Sequence, residues 1–344
     1  MTMHSSPYLT QPFTVNQIML RVMLALLPGI AAYVWYFGPA ILVSMTLASI
    51  TALATEALML KLRARPLRPF LSDNSALLTA WLLALSIPPL APWWLPVVGT
   101  AFAIAVAKHL YGGLGSNPFN PAMIGYAVLI ISFPAQMTHW LTPHPLSQAE
   151  FSFVQQLGYI FGGVLPPGLT LDAVTMATPL DTLKTQLHLG QTVAQIRDLP
   201  IYGRLAGQGS EVVAAGFAVG GLYLLFTRII SWHLPLVFLA TLFAISGAFH
   251  WFDPAHYAPP LFHWFSGAAM MAAFFILTDP VTSPTTTQGK IIFTMGAALL
   301  TFLIRAFGSF PDGLAFATLL MNLCVPIIDA YTQPKIFGQK EGRP

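Results

Sequence analysis

Apolar runs long enough to cross a bilayer recur from near the start of this chain to near its end, and little charge remains between them for a water-exposed surface. A membrane span needs about 20 apolar residues. Ten stretches meet or approach that length: roughly 18–37, 40–60, 75–90, 93–110, 121–137, 211–230, 235–250, 261–278, 291–307 and 313–330. The third, fifth and seventh are short or carry proline, which often marks a broken membrane helix. Charged residues make up 8% of the chain, against about 25% in soluble domains. A soluble fold of this composition would lack polar surface. The expected class is therefore an all-α polytopic membrane protein with about ten transmembrane helices.

Lys and Arg orient these spans. With the N-terminus taken as cytoplasmic, eleven of the 15 basic residues fall on the inner side, leaving Lys184, Arg197, Arg204 and Arg305 outside. That bias predicts cytoplasmic N- and C-termini. Trp93, Trp94, Trp140, Trp251 and Trp264 fall where an outer aromatic belt would lie. The first 17 residues lack the basic start of a cleaved signal peptide, so the first run is expected to be retained. The net charge of +3 is small and clustered, which reads as topology and not as nucleic-acid binding. The longest polar segment splits the chain into 1–134 (five spans), an outward loop 135–210, and 211–344 (five spans), which allows a 5+5 inverted repeat. The single cysteine, Cys324, excludes an intrachain disulfide and any Cys-only Fe–S or zinc site built from this chain alone. A redox centre held here must be organic or completed by a partner. His250, His256 and His263 cluster near one outer loop at no metal-ligand spacing and are expected at a surface or interface.

The outward loop carries Asp172-Ala173-Val174-Thr175-Met176-Ala177-Thr178-Pro179-Leu180. This matches Asp-x-x-Ser/Thr-x-Ala-Thr, the pattern at which flavin transferases attach FMN through a phosphoester to the final Thr. The chemistry needs an exposed hydroxyl. Pro179 disfavours helix at the residue before it, so Thr178 is expected to be extended and accessible. Asp172 reads as a turn or cap residue or a contact for the attaching enzyme, and Thr175 and Ala177 complete the pattern. Position 176 departs from it, being Met where Gly or Ser is usual.

Residues 111–123 (YGGLGSNPFNPAM) break regular helix at the inner end of the fourth span. Gly112, Gly113, Asn117 and Asn120 read either as a flavin or ion site built on freed backbone groups or as a tight turn. Residues 278–289 (TDPVTSPTTTQG) read as a capped turn or a cofactor contact, and 72–75 (SDNS) as an N-cap. Ionisable residues within spans are functional candidates by default. Glu56 is the candidate ion or proton contact, whereas Lys108 and Arg305, nearer span ends, are expected to snorkel.

Taken together, residues 112–126, 172–180, 278–289 and 329–338 resemble the D component of the Rnf ion-translocating oxidoreductase complex, which is homologous to the B component of the sodium-pumping NADH:quinone oxidoreductase. The four motifs stand in family order from the fourth span to the C-terminus. The resemblance implies one of about six subunits of a bacterial inner-membrane complex that moves electrons between ferredoxin and NAD and couples them to Na⁺ or H⁺ translocation. Its partners would include Fe–S and flavin subunits, a flavin transferase for maturation and membrane lipid. Thr178 would carry FMN on the periplasmic side, and a second, non-covalent riboflavin would lie near 112–121. No catalytic residue is assigned to this chain alone. Two rivals stay open: a solute channel or secondary transporter, which would carry no covalent chromophore, and a structural anchor, for which Thr178→Ala would leave electron flow intact.

Overall fold

The computed structural model describes residues 13–147 and 151–334. The start of the chain and the end of the 329–338 motif, with Lys335, Lys340 and Arg343, lie outside the described residues. α1 (Val15–Phe37) opens with a capping box, in which the Thr14 hydroxyl accepts from the Gln17 amide and the Gln17 side chain accepts from Thr14. Such reciprocal capping satisfies two otherwise orphaned donors. The remaining helices of the first half are α2 (Ala40–Leu62), α3 (Leu67–Leu71), α4 (Ser75–Ala84), α5 (Trp94–Phe102), which continues as a π-helix over Ala103–His109, and α6 (Pro121–Ser132). The loop contributes β1 (Trp140–Leu141), α7 (Phe153–Gly162), α8 (Leu171–Val174), β2 (Thr175–Met176), α9 (Pro179–His188) and α10 (Val193–Arg197). The second half runs α11 (Ser210–Phe226), α12 (His233–Phe252), α13 (Pro260–Phe265), α14 (Ala269–Met271) with a π-helix over Ala272–Ile276, α15 (Thr287–Phe307) and α16 (Leu314–Thr332).

Every apolar run becomes helix, but not every run becomes one long helix. α1, α2, α12, α15 and α16 are long and apolar enough to cross a membrane, while the helices Ser75–Ala84, Trp94–His109, Pro121–Ser132 and Ser210–Phe226 are shorter. The third run stops at Ala84, ahead of the pair Pro88-Pro89, instead of reaching residue 90. The fifth ends at Ser132 and not at 137, because Phe133 leaves helical geometry just before Pro134. The eighth breaks at Ser266, which is extended, and Gly267, which has a φ of 61°. Positive φ is cheap for Gly and costly for other residues.

The described chain begins and ends on one face. Asn16, in the first turn of α1, donates to the Ser72 carbonyl, and Thr332, at the end of α16, bonds Thr286 ahead of α15. The folded loop covers the opposite end. We call these the far face and the loop face. The first-half contacts α2–α4, α2–α5 and α5–α6 recur in the second half as α12–α13, α12–α15 and α15–α16. The first helix of each half packs along the other, α1 on α11, and the last does likewise, α6 on α16. The first helices of the two halves run antiparallel, since Gly220 meets Ala25 and Gly216 meets Gly29.

α1 and α11 approach backbone to backbone. A methyl at Gly220 would overlap the carbonyl oxygen of Ala25, and one at Gly216 would stand 2.8 Å from the Cα of Gly29. Small residues permit this close approach, on which helix association within a bilayer depends. The loop has a core of its own. Leu180, Leu183, Val193, Ile196, Ile201 and Tyr202 pack with Ala258 and Phe262 of the second half.

Candidate cofactor cleft and buried charge network

Thr178 sits where local rules put it. Ahead of Pro179 its backbone is extended, at φ −67° and ψ 158°, and it N-caps α9 by accepting from the Asp181 amide at 3.2 Å. Proline at the first helical position loses no bond, since that amide would be unpaired anyway. The Tyr202 hydroxyl donates to the Pro179 carbonyl at 2.9 Å and fixes the start of the helix; burial pushes the Tyr202 phenol above its ordinary range. Thr178 is half-buried and borders a cleft of about 230 Å³. Trp140, Met176, Ala177 and Asp181 line the cleft from the loop, while Tyr33, Met123, Tyr126, Phe217 and Met271 line it from the spans of both halves.

The rest of the nonamer supports this presentation. Met176 pairs with Trp140 across the two-residue ladder and Thr175 with Leu141, so the Met that departs from the sequence pattern turns an apolar side chain to the cleft. Thr175 is buried and donates to the Leu171 carbonyl at 2.9 Å. Asp172 is exposed in the first turn of α8 and does not line the cleft. Only Ala177 and Thr178 of the four pattern residues therefore reach it.

Arg305 and Asp312 converge on the broken eighth span. Arg305 is buried, not snorkelled: its guanidinium donates to the carbonyls of His263 (2.8 Å) and Ser266 (3.1 Å) and to Asp312 (3.1 Å). The break leaves those carbonyls without helical partners, and Arg305 takes their place. His263, expected at a surface or interface, is buried beside Phe302, while His256 stays exposed and pairs with Asp253. Asp312 also accepts from the Ala268 amide at 2.9 Å. Burial alone would raise the Asp312 carboxyl, but Arg305 and the backbone donors outweigh it and hold it below the usual range. Lys184 of α9 donates to Gly308 and Phe310, both at 2.7 Å, capping α15. Burial pulls the Lys184 ammonium down and pushes the Asp181 carboxyl up, each partly offset by the other.

Gly112, Gly113, Asn117 and Asn120 lie on the far face, away from Thr178. Gly112 and Gly113 have φ of 130° and 98°. Asn117 is buried and closes a turn onto the Phe119 carbonyl at 3.1 Å. Asn120 caps α6 through Ala122 and Met123, and its own amide donates to Asn322, which in turn donates to the Thr282 carbonyl at 2.9 Å. One buried bridge thus ties residues 112–121 to residues 278–289. In the latter segment Thr286 caps α15 by accepting from Gly289, and Asp329 accepts from Thr285. The 72–75 turn caps differently from expectation: Asn74 is left-handed and caps nothing, while Asp73 accepts from Ser75.

Lys108, the other expected snorkeller, is also turned inward. Its ammonium contacts both Glu56 oxygens at 2.7 Å and Ser75 Oγ at 2.8 Å, with side-chain exposures of 3% for Lys108 and 2% for Glu56. A buried carboxylate leaves a lysine no reason to reach for water.

A family model described as "NQR2, RnfD, RnfE family" matches residues 2–338. The chain belongs to this family. It is 52% identical to the D component of the ion-translocating oxidoreductase complex of Escherichia coli (strain SMS-3-5 / SECEC), over 98% of this chain and 98% of that protein. The same component from Shigella dysenteriae serotype 1 (strain Sd197) and from E. coli (strain SE11) matches equally, at 52% identity over 98% of each chain. As a member of the NQR2, RnfD, RnfE family, the chain has its pattern threonine, its Asn-Pro turn and its Asp-Pro turn at three distinct places in one fold. Sequence reasoning missed Arg305, Asp312, Lys184 and Asn322 as parts of this frame. For Arg305, Asp312 and Asn322 the one signal in the sequence was a polar residue in or beside an apolar run; Lys184, in the polar loop, gave none.

Proposed function

We propose that this chain is the D component of an ion-translocating oxidoreductase complex, not catalytic alone, and that Thr178 holds FMN through a phosphoester. The supporting observation is the place of the Thr178 hydroxyl: extended, at the N-terminus of a ten-residue helix, on the border of an apolar and aromatic cleft between the two halves. Helix N-termini favour phosphate groups, and apolar clefts with few polar groups suit planar ligands. The residues present therefore fit the group. When bound, FMN would supply one- and two-electron transfer, which bridges Fe–S carriers. The chain's part is to fix and shelter it. Lys184 and Tyr202 hold α9, and Trp140, Tyr126 and Phe217 exclude water.

On this reading the loop face is periplasmic, the far face cytoplasmic, and the membrane the bacterial inner membrane. The two halves 1–134 and 211–344 flank the loop 135–210 and pack on each other through α1–α11 and α6–α16. The resemblance implies a non-covalent riboflavin near the far-face turn around Gly112, Gly113, Asn117 and Asn120, where the glycines have positive φ. Fe–S and flavin subunits, a flavin transferase and lipid are the partners, and electron flow drives Na⁺ or H⁺. The test is the intact mass of the chain from a host that has the flavin transferase, with a Thr178→Ala control. A gain of one FMN unit, lost in the control together with in-gel fluorescence, supports the reading. No added mass would return the transporter and anchor readings to the front.

A further inference from the structure

The Lys108 ammonium has three donors, and all three are committed within the protein: two to Glu56 at 2.7 Å and one to Ser75 Oγ at 2.8 Å. Ser75 does not end the chain of bonds. Its hydroxyl donates onward to Asp73 Oδ1 at 2.5 Å. Asp73 is half-buried in the turn that opens α4 on the far face. Donor follows acceptor without a gap from the buried lysine to that turn. On the other side of Glu56, His109 Nε2 lies 3.3 Å from Oε1, and Arg63 stands 3.3 Å from His109 Nδ1 while donating to the Gly112 carbonyl. The groups facing Glu56 are therefore Lys108 and His109 from the π-helix, Ser75 with Asp73 from the start of α4, and Arg63, through His109, from the end of α2.

A structural strut needs the Glu56–Lys108 pair and nothing more. A hydroxyl relay with a carboxylate at its surface end is what proton exchange requires. Lys108 also sits in a π-helix, a geometry frequent at functional sites. We propose that Asp73, Ser75, Lys108 and Glu56 form a proton wire that loads Glu56 from the far face.

The transfer balances without any redox partner. Lys108 gives one Nζ–H to a Glu56 oxygen, leaving a neutral amine and a carboxylic acid. The Ser75 hydroxyl then gives its proton to that amine. Asp73, protonated by far-face water, restores the Ser75 hydroxyl and returns to carboxylate. The sum is one proton moved from water to Glu56 and one positive charge added to the cluster. A negative charge arriving elsewhere in the complex favours that uptake. The inference rests on the electron-transport reading but not on Thr178 as the carrier.

The test uses the assembled complex in sealed vesicles, with a pH-indicator dye on the far-face side and electron transfer recorded in parallel. Ser75→Ala removes the relay hydroxyl, and Ser75→Thr keeps it. Proton uptake per electron should slow by about tenfold or more in Ser75→Ala and stay within about twofold in Ser75→Thr. Asp73→Asn retains an acceptor for the Ser75 amide and should also slow uptake, which covers the case in which Ser75→Ala does not assemble. Wild-type uptake in Ser75→Ala or Asp73→Asn, or a wild-type complex that passes electrons without taking up protons, overturns the wire. Loss of electron transfer in Thr178→Ala bears on the flavin reading and leaves the wire to be judged on its own variants.

Discussion

Lys184 of the loop helix reaches the Gly308 carbonyl at the end of α15, 2.7 Å away. With its further bonds to Ile304 and Phe310, it joins the helix that Thr178 caps to the span that carries Arg305. A cation at a helix C-terminus meets the negative end of the dipole and several unpaired carbonyls at once. The position of Thr178 is thereby set by the spans as well as by the loop.

Lys184→Met should therefore release α9 and not unfold the bundle. Hydrogen bonds to charged groups contribute about 1.5–3 kcal/mol, and the half-exposed setting of Lys184 puts the expected loss at the lower end. Amide exchange should rise in α9 and in the last turn of α15 and stay unchanged in α1 and α11. Protection equal to wild type in α9 would remove Lys184 from this role.

Thr178 caps α9 and, on the proposed reading, also holds the flavin; Thr178→Ser keeps both roles. The serine variant should retain the flavin mass and the stability of α9. Thr178→Ala should lose the flavin mass and also about 1 kcal/mol of helix capping. Limited proteolysis within 179–188, run on flavin-free wild type beside the alanine variant, isolates the capping loss. Identical cleavage in the two would show that the 3.2 Å bond to Asp181 adds no stability.

The helices and the place of Thr178 were legible because both are local. Apolar run length gives spans, and Pro179 alone predicts the extended residue before it. Lys108 and Arg305 were misread as snorkelling because the outcome depends on residues far along the chain. Glu56 lies on α2 and Lys108 on the π-helix, and the carbonyls that need Arg305 exist only because the eighth span breaks at Gly267. No local pattern announces that break, since residues 261–278 read as one apolar run. Asn322 was hidden in the same way: its partners, Asn120 and Thr282, come from two other motifs.

Gly220→Ala tests the crossing of α1 and α11. The added methyl has no room beside the Ala25 carbonyl, which is backbone and cannot rotate away. Overpacking of this kind costs about 1–3 kcal/mol, read as a lower melting temperature in detergent. Because the cleft is lined by Tyr33 of α1 and Phe217 of α11, a flavin held there as proposed should become more quenchable in the same variant. Unchanged melting would mean that the two helices slide apart freely.

Asn322→Leu should act on the far face. It leaves the Asn120 amide and the Thr282 carbonyl unpaired, and each buried unpaired group costs about 1–3 kcal/mol. If riboflavin binds at the Asn117–Asn120 turn, its content in the purified complex should fall while the Thr178-linked FMN is retained. Equal loss of both flavins would point to general unfolding instead.

The Arg305–Asp312 pair gives a pH dependence whose sign follows from its environment. The Asp312 carboxyl is held below its ordinary range in the folded protein. A lowered folded value means that its contribution is present above the unfolded value and is lost as pH falls through the folded one. The loop face should thus keep full stability from neutral pH down to the ordinary carboxylate range and lose it only below. Asp181 runs the other way: burial raises its carboxyl, so the stability it lends is present in acid and is lost as pH rises through the raised value. Melting temperature against pH for wild type and Asp312→Asn separates the two. The variant should be less stable at neutral pH, because it leaves Arg305 buried without its counter-charge, and the two curves should converge in acid. A constant gap between them at every pH would show that Asp312 acts through its shape and backbone bonds and not through its charge.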